Sequence, residues 1–468
     1  MTRATWLLTA ACLVAACGDN PAGPDAGPAD LVGKLRALEG VTVEATPTST
    51  PGYTFYVLRF EQPVDHLAVG GPKFQQRVSL LHRDEAAPMI ALTSGYWDYY
   101  IDRPYELTAL LSANQISIEH RFFGESRPEP ADWSKLTIEQ MAIDEHRIIQ
   151  ALRTVYPGAF LTTGGSKGGM TAIYHRRFFP DDVDGTVPYV APISFGAPDL
   201  RYAPFLDTVG TPECRGALRA AAVELLANRR AAMEARAIEQ AMEDDLSYTR
   251  IAIGPAVESS IASLEWAFWQ YYGVQFCASI PATTASDDQM WAFLDRISPV
   301  SDNEDDRIAA FEAYYYQAYA QLGYPDSGGS YLDPYLRYTD ADYAAALPTE
   351  LPSYDGGVAM RDIDRWVKEE GHRLLFVYGE WDPWTAGPFE LGNATDSLVV
   401  VQKQGTHGAR IARLDPADRE AAFAKLQAWT GVTPQLPAMA QARTTALEPP
   451  EPHEPRVPPV VSRALRAR

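Results

Sequence analysis

The stretch Phe160-Leu-Thr-Thr-Gly-Gly-Ser-Lys-Gly-Gly-Met170 places a serine between glycines, directly after a short apolar run. The residues that follow, 171–178, are compatible with a helix. A strand, a Gly-x-Ser-x-Gly turn and a helix in this order are typical of a nucleophile elbow. The serine of such an elbow sits in a strained turn, so its neighbours two positions away must be small, and Gly164 and Gly168 meet that demand. We therefore predict that Ser166 is a nucleophile beside a helix N-terminus, where developing negative charge is stabilised.

Further short apolar runs predict the sheet that carries this elbow. They are residues 89–93, 116–119, 159–163, 185–193, 373–378 and 397–402. Helical stretches such as 136–156 separate them, which favours a doubly wound α/β sheet and an α/β-hydrolase core. We assign this core to residues 31–199 and 359–433. Residues 200–358, rich in helix formers and aromatic clusters, predict a mostly helical cap inserted into the core. Most cap aromatics are expected in its core, and a minority in a pocket beneath it.

A serine nucleophile requires a base, and the base requires an orienting acid. In this fold the chain order is serine, acid, histidine. Of the eight histidines, His407 follows the last predicted strand, whereas His453 lies in a Pro-rich tail (434–468) that we expect to be disordered. Asp382 follows the strand 373–378 and is the predicted acid, with Glu380 and Asp396 as its rivals.

An acyl-transfer site also needs two donors for the oxyanion that forms on the carbonyl. The backbone amide of Lys167, directly after the nucleophile, is the first predicted donor. The second is expected in the loop after strand 89–93, from the amide of Tyr96 or Gly95. An ordinary turn at the end of that strand is the alternative.

Composition and charge exclude several functions. The chain has 468 residues, 40 Lys plus Arg, 61 Asp plus Glu and a net charge of -21, which disfavours nucleic acid as a partner. An apolar content of 46% excludes disorder of the whole chain. The elbow is not a phosphate-binding loop, because Lys167 follows the serine instead of preceding it. No metal-binding motif is present, so no metal or cofactor is expected.

The first residues resemble an export signal. A positive Arg3, an apolar run and Val14-Ala-Ala-Cys17 favour a lipoprotein signal over residues 1–17, with Cys17 as the lipidated residue. Residues 18–30 should form a flexible linker. Secretion without lipid is the alternative, and either route takes the chain out of the cytoplasm. In an oxidising compartment Cys214 and Cys277 are expected to pair, although separate thiols remain an alternative.

Several motifs together are similar to a known family. They are Phe60-Glu-Gln-Pro-Val-Asp-His66, Phe74-Gln-Gln-Arg77, Glu119-His-Arg-Phe-Phe-Gly-Glu-Ser-Arg-Pro128, Gly164-Gly-Ser-Lys-Gly-Gly169, Glu380-Trp-Asp-Pro-Trp384 and Gly405-Thr-His-Gly-Ala-Arg410. The chain resembles the secreted bacterial prolyl tri/tetrapeptidyl aminopeptidases, which are serine peptidases with an α/β-hydrolase core and a helical insertion. It is more distantly similar to the prolyl carboxypeptidase group. The lipoprotein signal and the Pro-rich tail depart from the secreted family.

The resemblance implies peptide substrates and cleavage after proline near a free N-terminus. An apolar proline pocket is expected, with candidates Tyr96, Trp97, Tyr99, Trp381 and Trp384. A free amine needs an acidic partner, for which the candidates are Glu125 and Glu119; carboxylates that brace the fold beside Arg121 or Arg127 are the alternative. Other interpretations are an esterase or lipase on the same triad, a prolyl carboxypeptidase-like specificity, and a catalytically silent surface lipoprotein.

Overall fold

The computed structural model describes residues 28–68, 70–99, 102–436, 453 and 455–459. The predicted signal peptide with Cys17, and linker residues 18–27, lie outside the described residues. The last residues assigned to the linker instead begin helix α1 (Pro28–Arg36). In the described part of the chain, no helix combines the length and apolar character needed to span a bilayer.

A single sheet organises the core, and nine strands form it within the described residues. They are β1 (Val41–Thr46), β2 (Thr54–Pro63), β3 (Lys73–His82), β4 (Met89–Thr93), β5 (Asn114–Ile118), β6 (Phe160–Gly165), β7 (Gly185–Tyr189), β8 (Leu375–Gly379) and β9 (Leu398–Gln402). Their order across the sheet is β1-β2-β3-β5-β4-β6-β7-β8-β9. Strands β1, β2 and β3 pair antiparallel, as do β3 and β5, and the remaining neighbours are parallel.

The six predicted strands correspond to β4–β9, shifted by at most a few residues. The antiparallel strands β1–β3 were not predicted from the sequence. Each of them has exposed or half-buried positions, unlike the continuously buried β4–β8, as in the exposed Lys73, buried Phe74 and exposed Gln75 at the start of β3.

The described helices surround this sheet. They are α2 (Glu106–Leu111), α3 (Ile138–Arg153), α4 (Lys167–Phe178), α5 (Tyr202–Leu206), α6 (Pro212–Ala227), α7 (Arg230–Glu243), α8 (Ile253–Ala262), α9 (Leu264–Tyr271), α10 (Asp287–Ile297), α11 (Asp305–Ala310), α12 (Glu312–Gln317), α13 (Asp340–Tyr343), α14 (Val358–Glu369) and α15 (Pro416–Thr430). Short 3₁₀ helices occupy Trp133–Lys135, Val274–Ser279, Val300–Asn303, Ser330–Tyr335, Ala344–Ala346, Pro383–Ala386 and Ile411–Arg413, and a π-helix occupies Ala318–Leu322.

Strands β4–β8 are buried along their whole length, because helices cover both faces of this part of the sheet. On one face, residues of α3, α4 and α14 pack on β8, among them Ile173, Ile363 and Phe376. On the other face, α2 and α15 pack on the sheet through residues such as Leu110 and Leu426. The sheet is therefore rigid at the edge where its parallel strands end.

Helices α5–α13 lie between β7 and β8, and the cap has an apolar core of its own. Leu225, Trp269 and Tyr315 are buried in it. The same cluster includes Tyr96 and Phe123, which lie in loops after β4 and β5, so the cap packs directly on the core. Within the cap, Cys214 in α6 forms a disulfide with Cys277.

Candidate active site

The serine of the elbow occupies a strained backbone position. Ser166 lies between β6 and α4 with φ 54° and ψ -125°, a positive φ that non-glycine residues rarely adopt. Its amide donates a hydrogen bond to the Tyr189 carbonyl at 2.8 Å, which secures the turn to the neighbouring strand. Its side chain is half-buried, so the sharp turn presents the hydroxyl to a cavity instead of the core.

Glycines allow the elbow to close. A Cβ on Gly164 would lie 2.4 Å from the Gly168 carbonyl carbon and 2.8 Å from the Thr93 oxygen. A Cβ on Gly95 would lie 2.6 Å from Cβ of Lys167. The strand β6, the start of α4 and the loop after β4 therefore meet at backbone contact, which only glycine permits at these positions.

A histidine–carboxylate pair lies at the ends of the last two strands. His407 Nδ1 and Asp382 Oδ2 are 2.7 Å apart, and both side chains are buried. Asp382 Oδ1 also accepts from the Trp384 amide at 3.2 Å, so both oxygens of the carboxylate are held. Burial raises the pKa of Asp382, and the adjacent His407 opposes that shift. With the aspartate ionised, Nδ1 carries the donated proton and Nε2 is left able to accept one.

Backbone contacts hold the two loops together. The Trp381 amide donates to the Gly405 carbonyl at 2.8 Å. The His407 amide donates to the carbonyl of Gln270 in cap helix α9, also at 2.8 Å. Cap and core therefore jointly fix the position of the imidazole.

The rival acids have other partners. Glu380 accepts from the Gln404 amide at 2.7 Å. Asp396 pairs with Lys425 Nζ at 2.6 Å and accepts from Trp429 Nε1 at 2.9 Å. The structure therefore brings Asp382, and neither rival, to the ring of His407.

One cavity beneath the cap connects these groups. Ser166, Lys167 and His407 line it together with Tyr96 from the loop after β4. The cap supplies further walls, including Trp266, Gln270, Tyr271, Asp302 and Tyr314. Core and cap therefore form the site together, and aromatic side chains are among its walls.

The candidate oxyanion donors lie on this cavity. Lys167 is the first residue of α4, where backbone amides have no helical partner. The Tyr96 amide donates to Ser94 Oγ at 3.1 Å, and Tyr96 lines the cavity, whereas Gly95 packs behind it on Lys167.

The side chain of Lys167 braces the loop after β4. It is buried, and Nζ donates to the Gly95 carbonyl at 2.6 Å. The ammonium group also lies 5.5 Å from the ring centre of Tyr96 and 5.3 Å from that of Phe123, within cation–π range. The lysine of the elbow therefore ties the nucleophile helix to the loop that carries the second donor candidate.

Only part of the predicted proline pocket lines the cavity. Trp384 and Tyr96 do so. Trp97 instead packs on Phe311 with ring centres 5.1 Å apart, and Trp381 on Trp269 at 6.4 Å. Tyr99 lines a separate small cavity. The prediction for these three was wrong because successive loop residues point in different directions, which sequence proximity to the site does not determine.

The two candidate partners of a substrate amine, Glu125 and Glu119, do not line this cavity. Glu125 is 55% exposed and pairs with Arg59 at 2.9 Å and Arg77 at 3.0 Å. Glu119 is buried and accepts from the amides of Asp98, Glu125 and Ser126 at 2.8–3.0 Å. Both carboxylates brace the fold, although not through the two arginines considered above: Arg121 pairs with Asp144 at 2.6 Å, and Arg127 with Glu312 at 3.5 Å.

Sequence reasoning missed the carboxylate that does line the cavity, Asp302 in the cap. It lies in the 3₁₀ helix Val300–Asn303, 3.2 Å from Arg307 Nη2. Burial raises the pKa of Asp302, and Arg307 and Arg456 oppose the shift. No motif surrounds this residue, so only the placement of the cap could have identified it.

Part of the C-terminal tail, which we expected to be disordered, contacts the folded protein: the Gln435 amide donates to the Leu110 carbonyl at 2.8 Å. His453 is buried against the core, and residues 455–459 line the same cavity as Ser166. Composition alone indicated disorder because the segment has no apolar periodicity. The buried imidazole of His453 and the prolines that follow it instead fit into spaces that the folded core and cap provide.

The strand order, the serine elbow after β6, the acid loop after β8 and the histidine loop after β9 define an α/β hydrolase. Residues 24–457 match the family described as PS-10 peptidase S37, and the chain belongs to that family. It is therefore a serine peptidase.

Relatives of known activity agree with this assignment. The chain is 40% identical over 441 residues to the prolyl tri/tetrapeptidyl aminopeptidase of Streptomyces mobaraensis, covering 92% of each chain. It is 31% identical over 185 residues to the human lysosomal Pro-X carboxypeptidase, covering 34% of this chain and 36% of that protein. The solved proline iminopeptidase of Mycobacterium smegmatis aligns with 13% identity and a TM-score of 0.31 over 82% of this chain and 97% of that one; so low a score supports no inference.

Within the described residues, no three or more His, Cys, Asp or Glu side chains are grouped so that they could hold a metal ion.

The bracing role of Lys167 predicts a specific defect in Lys167→Met. The Gly95 carbonyl would lose its donor inside the protein, which should lower the free energy of unfolding by about 1–3 kcal/mol. The loop after β4 should also lose its position, so kcat should fall more than KM rises. Denaturant unfolding and steady-state kinetics measure both effects. Lys73→Met, which removes an exposed lysine paired with Glu61, should change neither. A Lys167→Met enzyme with full kcat would show that the loop holds its position unaided.

Proposed function

We propose that the protein is a serine exopeptidase that releases tri- or tetrapeptides from free N-termini by cleaving after proline. The observation that carries this proposal is the buried pair of His407 and Asp382, 2.7 Å apart, on the cavity that also contains the elbow residue Ser166. The name of the relative from Streptomyces mobaraensis supports the substrate class.

In the proposed reaction, Ser166 Oγ attacks the carbonyl carbon of the scissile bond while His407 Nε2 takes its proton. Asp382 holds the imidazole and stabilises its cationic form. The carbonyl oxygen becomes an oxyanion, which accepts from the amide of Lys167 and from that of Tyr96 or Gly95. His407 then gives its proton to the departing nitrogen as the C–N bond breaks, and water hydrolyses the resulting acyl-enzyme by the reverse proton route.

The walls of the cavity suit a proline residue of the substrate. Tyr96, Trp266, Tyr271, Tyr314 and Trp384 present aromatic surface close to the serine. A proline ring has no backbone N–H to satisfy, so it enters such an apolar space at low desolvation cost.

Asp302 is the proposed partner of the substrate's free amine. It lines the same cavity as the serine, and its partner Arg307 leaves it partly exposed, with 18% of its side chain accessible. A carboxylate at that position would select peptides with a charged N-terminus, which is the requirement of an exopeptidase.

The triad assignment predicts three results with a purified enzyme and an Ala-Ala-Pro amide substrate. Ser166→Ala should abolish nearly all turnover and all labelling by a fluorophosphonate probe. Asp382→Asn should lower kcat by about 10⁴, because the imidazole loses its orienting carboxylate. Glu380→Gln, a matched change two residues away, should leave kcat nearly unchanged. Wild-type turnover in Asp382→Asn would reject this residue as the acid, and rapid cleavage of acyl esters without amide cleavage would reject the peptidase specificity.

The role of Asp302 predicts a change in selectivity. Asp302→Asn should lower kcat/KM for a free-amine peptide by about 10- to 100-fold, the value of one charge-assisted hydrogen bond. Wild type should cleave the same peptide slowly when its N-terminus is acetylated. Asp302→Asn should change that slow rate little. Asp288→Asn, at an exposed surface carboxylate, is the matched control. An equal loss on both peptides would indicate a structural role only.

We also propose that the protein works outside the cytoplasm, anchored by lipid on Cys17. The apolar signal over residues 1–17 supports this. The Cys214–Cys277 disulfide also supports it, because disulfides persist in oxidising compartments. Metabolic labelling with palmitate should mark the wild-type chain and not Cys17→Ser. A soluble, unlabelled wild-type protein in the medium would favour simple secretion.

A further inference from the structure

A segment of the chain itself lies in the cavity that the proposed reaction uses. Pro455, Arg456, Val457, Pro458 and Pro459, here called the C-terminal segment, line the cavity that contains Ser166 and His407. Pro458 is buried there. A sequence that contains prolines thus occupies the space where the substrate's proline is expected.

His453 anchors the segment beside the elbow. Its side chain is fully buried and lies so close to Gly165, the residue before the serine, that a Cβ on Gly165 would meet it at 2.0 Å. Nδ1 lies 2.5 Å from the Tyr105 hydroxyl, and Nε2 lies 2.9 Å from the Ala409 carbonyl and in contact with Arg410 Nη1. Both ring nitrogens therefore have polar partners, and burial holds the pKa of His453 well below its ordinary value.

Arg456 places a cation beside the cap wall of the cavity. Its guanidinium carbon lies 4.4 Å from the ring centre of Tyr271, and Nη2 donates to the Tyr272 hydroxyl at 3.3 Å. One cap residue contacts both Arg456 and Asp302: Arg307 Nη2 donates to the Arg456 carbonyl at 2.8 Å and lies 3.2 Å from the Asp302 carboxylate. Arg456 therefore lies next to Asp302, the group that the proposed function assigns to the substrate's amine, and its charge opposes the effect of burial on the pKa of Asp302.

Two backbone carbonyls of the segment accept hydrogen bonds from the cap. The Arg456 carbonyl accepts from Arg307 Nη2 at 2.8 Å, and the Pro459 carbonyl accepts from Ser263 Oγ at 3.4 Å. Both donors belong to the cap. These contacts use backbone carbonyls, so any bound peptide could make them.

We propose that the C-terminal segment is an internal inhibitor that occupies the substrate cavity as a substrate-like ligand, with Arg456 in place of the free amine and the prolines against the aromatic walls. This inference rests on the proposed function. The segment is not a substrate of its own site, because its N-terminal side continues into the protein and offers no free amine. Substrate must displace it, and proteolytic removal of the tail would activate the enzyme.

Tethering makes weak binding sufficient. A ligand that belongs to the same chain as its binding site has an effective concentration of about millimolar, so even a weakly bound segment competes with substrate. If the segment fills the cavity in nine of ten molecules, the apparent KM rises about tenfold, while kcat at saturating substrate is unchanged.

The test compares the full-length protein with Arg456→Ala and with His453→Ala plus Arg456→Ala, using the Ala-Ala-Pro amide. Both variants should show a lower KM with unchanged kcat, about tenfold lower at the occupancy assumed above. They should also react faster with the fluorophosphonate probe. Arg36→Ala, at an exposed arginine of α1, is the matched control and should behave as wild type. An unchanged KM would reject inhibition, and a raised KM would show that the segment is a wall of the substrate site.

A peptide added in trans provides a second measurement, which compares one variant with and without the peptide and so needs no comparison of KM between two proteins. Acetyl-His-Glu-Pro-Arg-Val-Pro-Pro should inhibit the double variant competitively, and a scrambled peptide should not. No inhibition by either peptide would overturn the proposal. The proposed function fails separately: wild type and all tail variants would then lack amide cleavage, whereas failure of the inhibitor alone leaves cleavage intact with equal KM values.

Discussion

The contact between β6 and the start of α4 is the constraint on which the site depends. Gly164 lies against the backbone of Gly168, and this forces the chain through a positive φ at Ser166. A side chain at Gly164 would push the helix away from the strand. The hydroxyl would then lose its position above the sheet edge, and the amide of Lys167 would lose its direction toward the carbonyl oxygen of a substrate. All the polar chemistry proposed for the site therefore depends on the absence of a side chain at Gly164.

Parallel strands end at a common edge, and this brings the acid and histidine loops to the edge of the sheet where the serine lies. Asp382 follows β8 and His407 follows β9, so their loops are neighbours although the elbow lies far earlier in the chain. The cap adds contacts at this edge: the Gln270 carbonyl accepts from the amide of His407, and cap aromatics line the cavity. Core and cap therefore line the cavity together, and under the proposed function the cap contributes to specificity.

Sequence patterns with a local physical cause were sufficient to predict much of the fold and of the candidate site. The elbow, the buried parallel strands and the order of serine, acid and histidine all arise from short-range sterics or from the period of a strand. The contacts that individual loop side chains make were not predictable in this way. Three tryptophans, Trp97, Trp381 and Trp384, lie in loops that follow predicted strands. Of these three, only Trp384 lines the cavity. Similarly, Glu125 looked available from sequence and proved to be paired with two arginines of the antiparallel strands, which sequence patterns had not revealed.

The sequence by itself determined the fold class, the candidate nucleophile, the candidate acid and base and the family, because each depends on residue type at a fixed spacing or in a fixed order. Only the tertiary structure decided that Asp302 lines the cavity and that His453 and the prolines after it lie in or beside it. Those positions come from elements distant in the chain, whose side chains meet only after the cap has packed on the sheet. A composition rich in proline reports the absence of regular structure, but it does not report whether a folded surface elsewhere in the molecule has a space that those prolines fit.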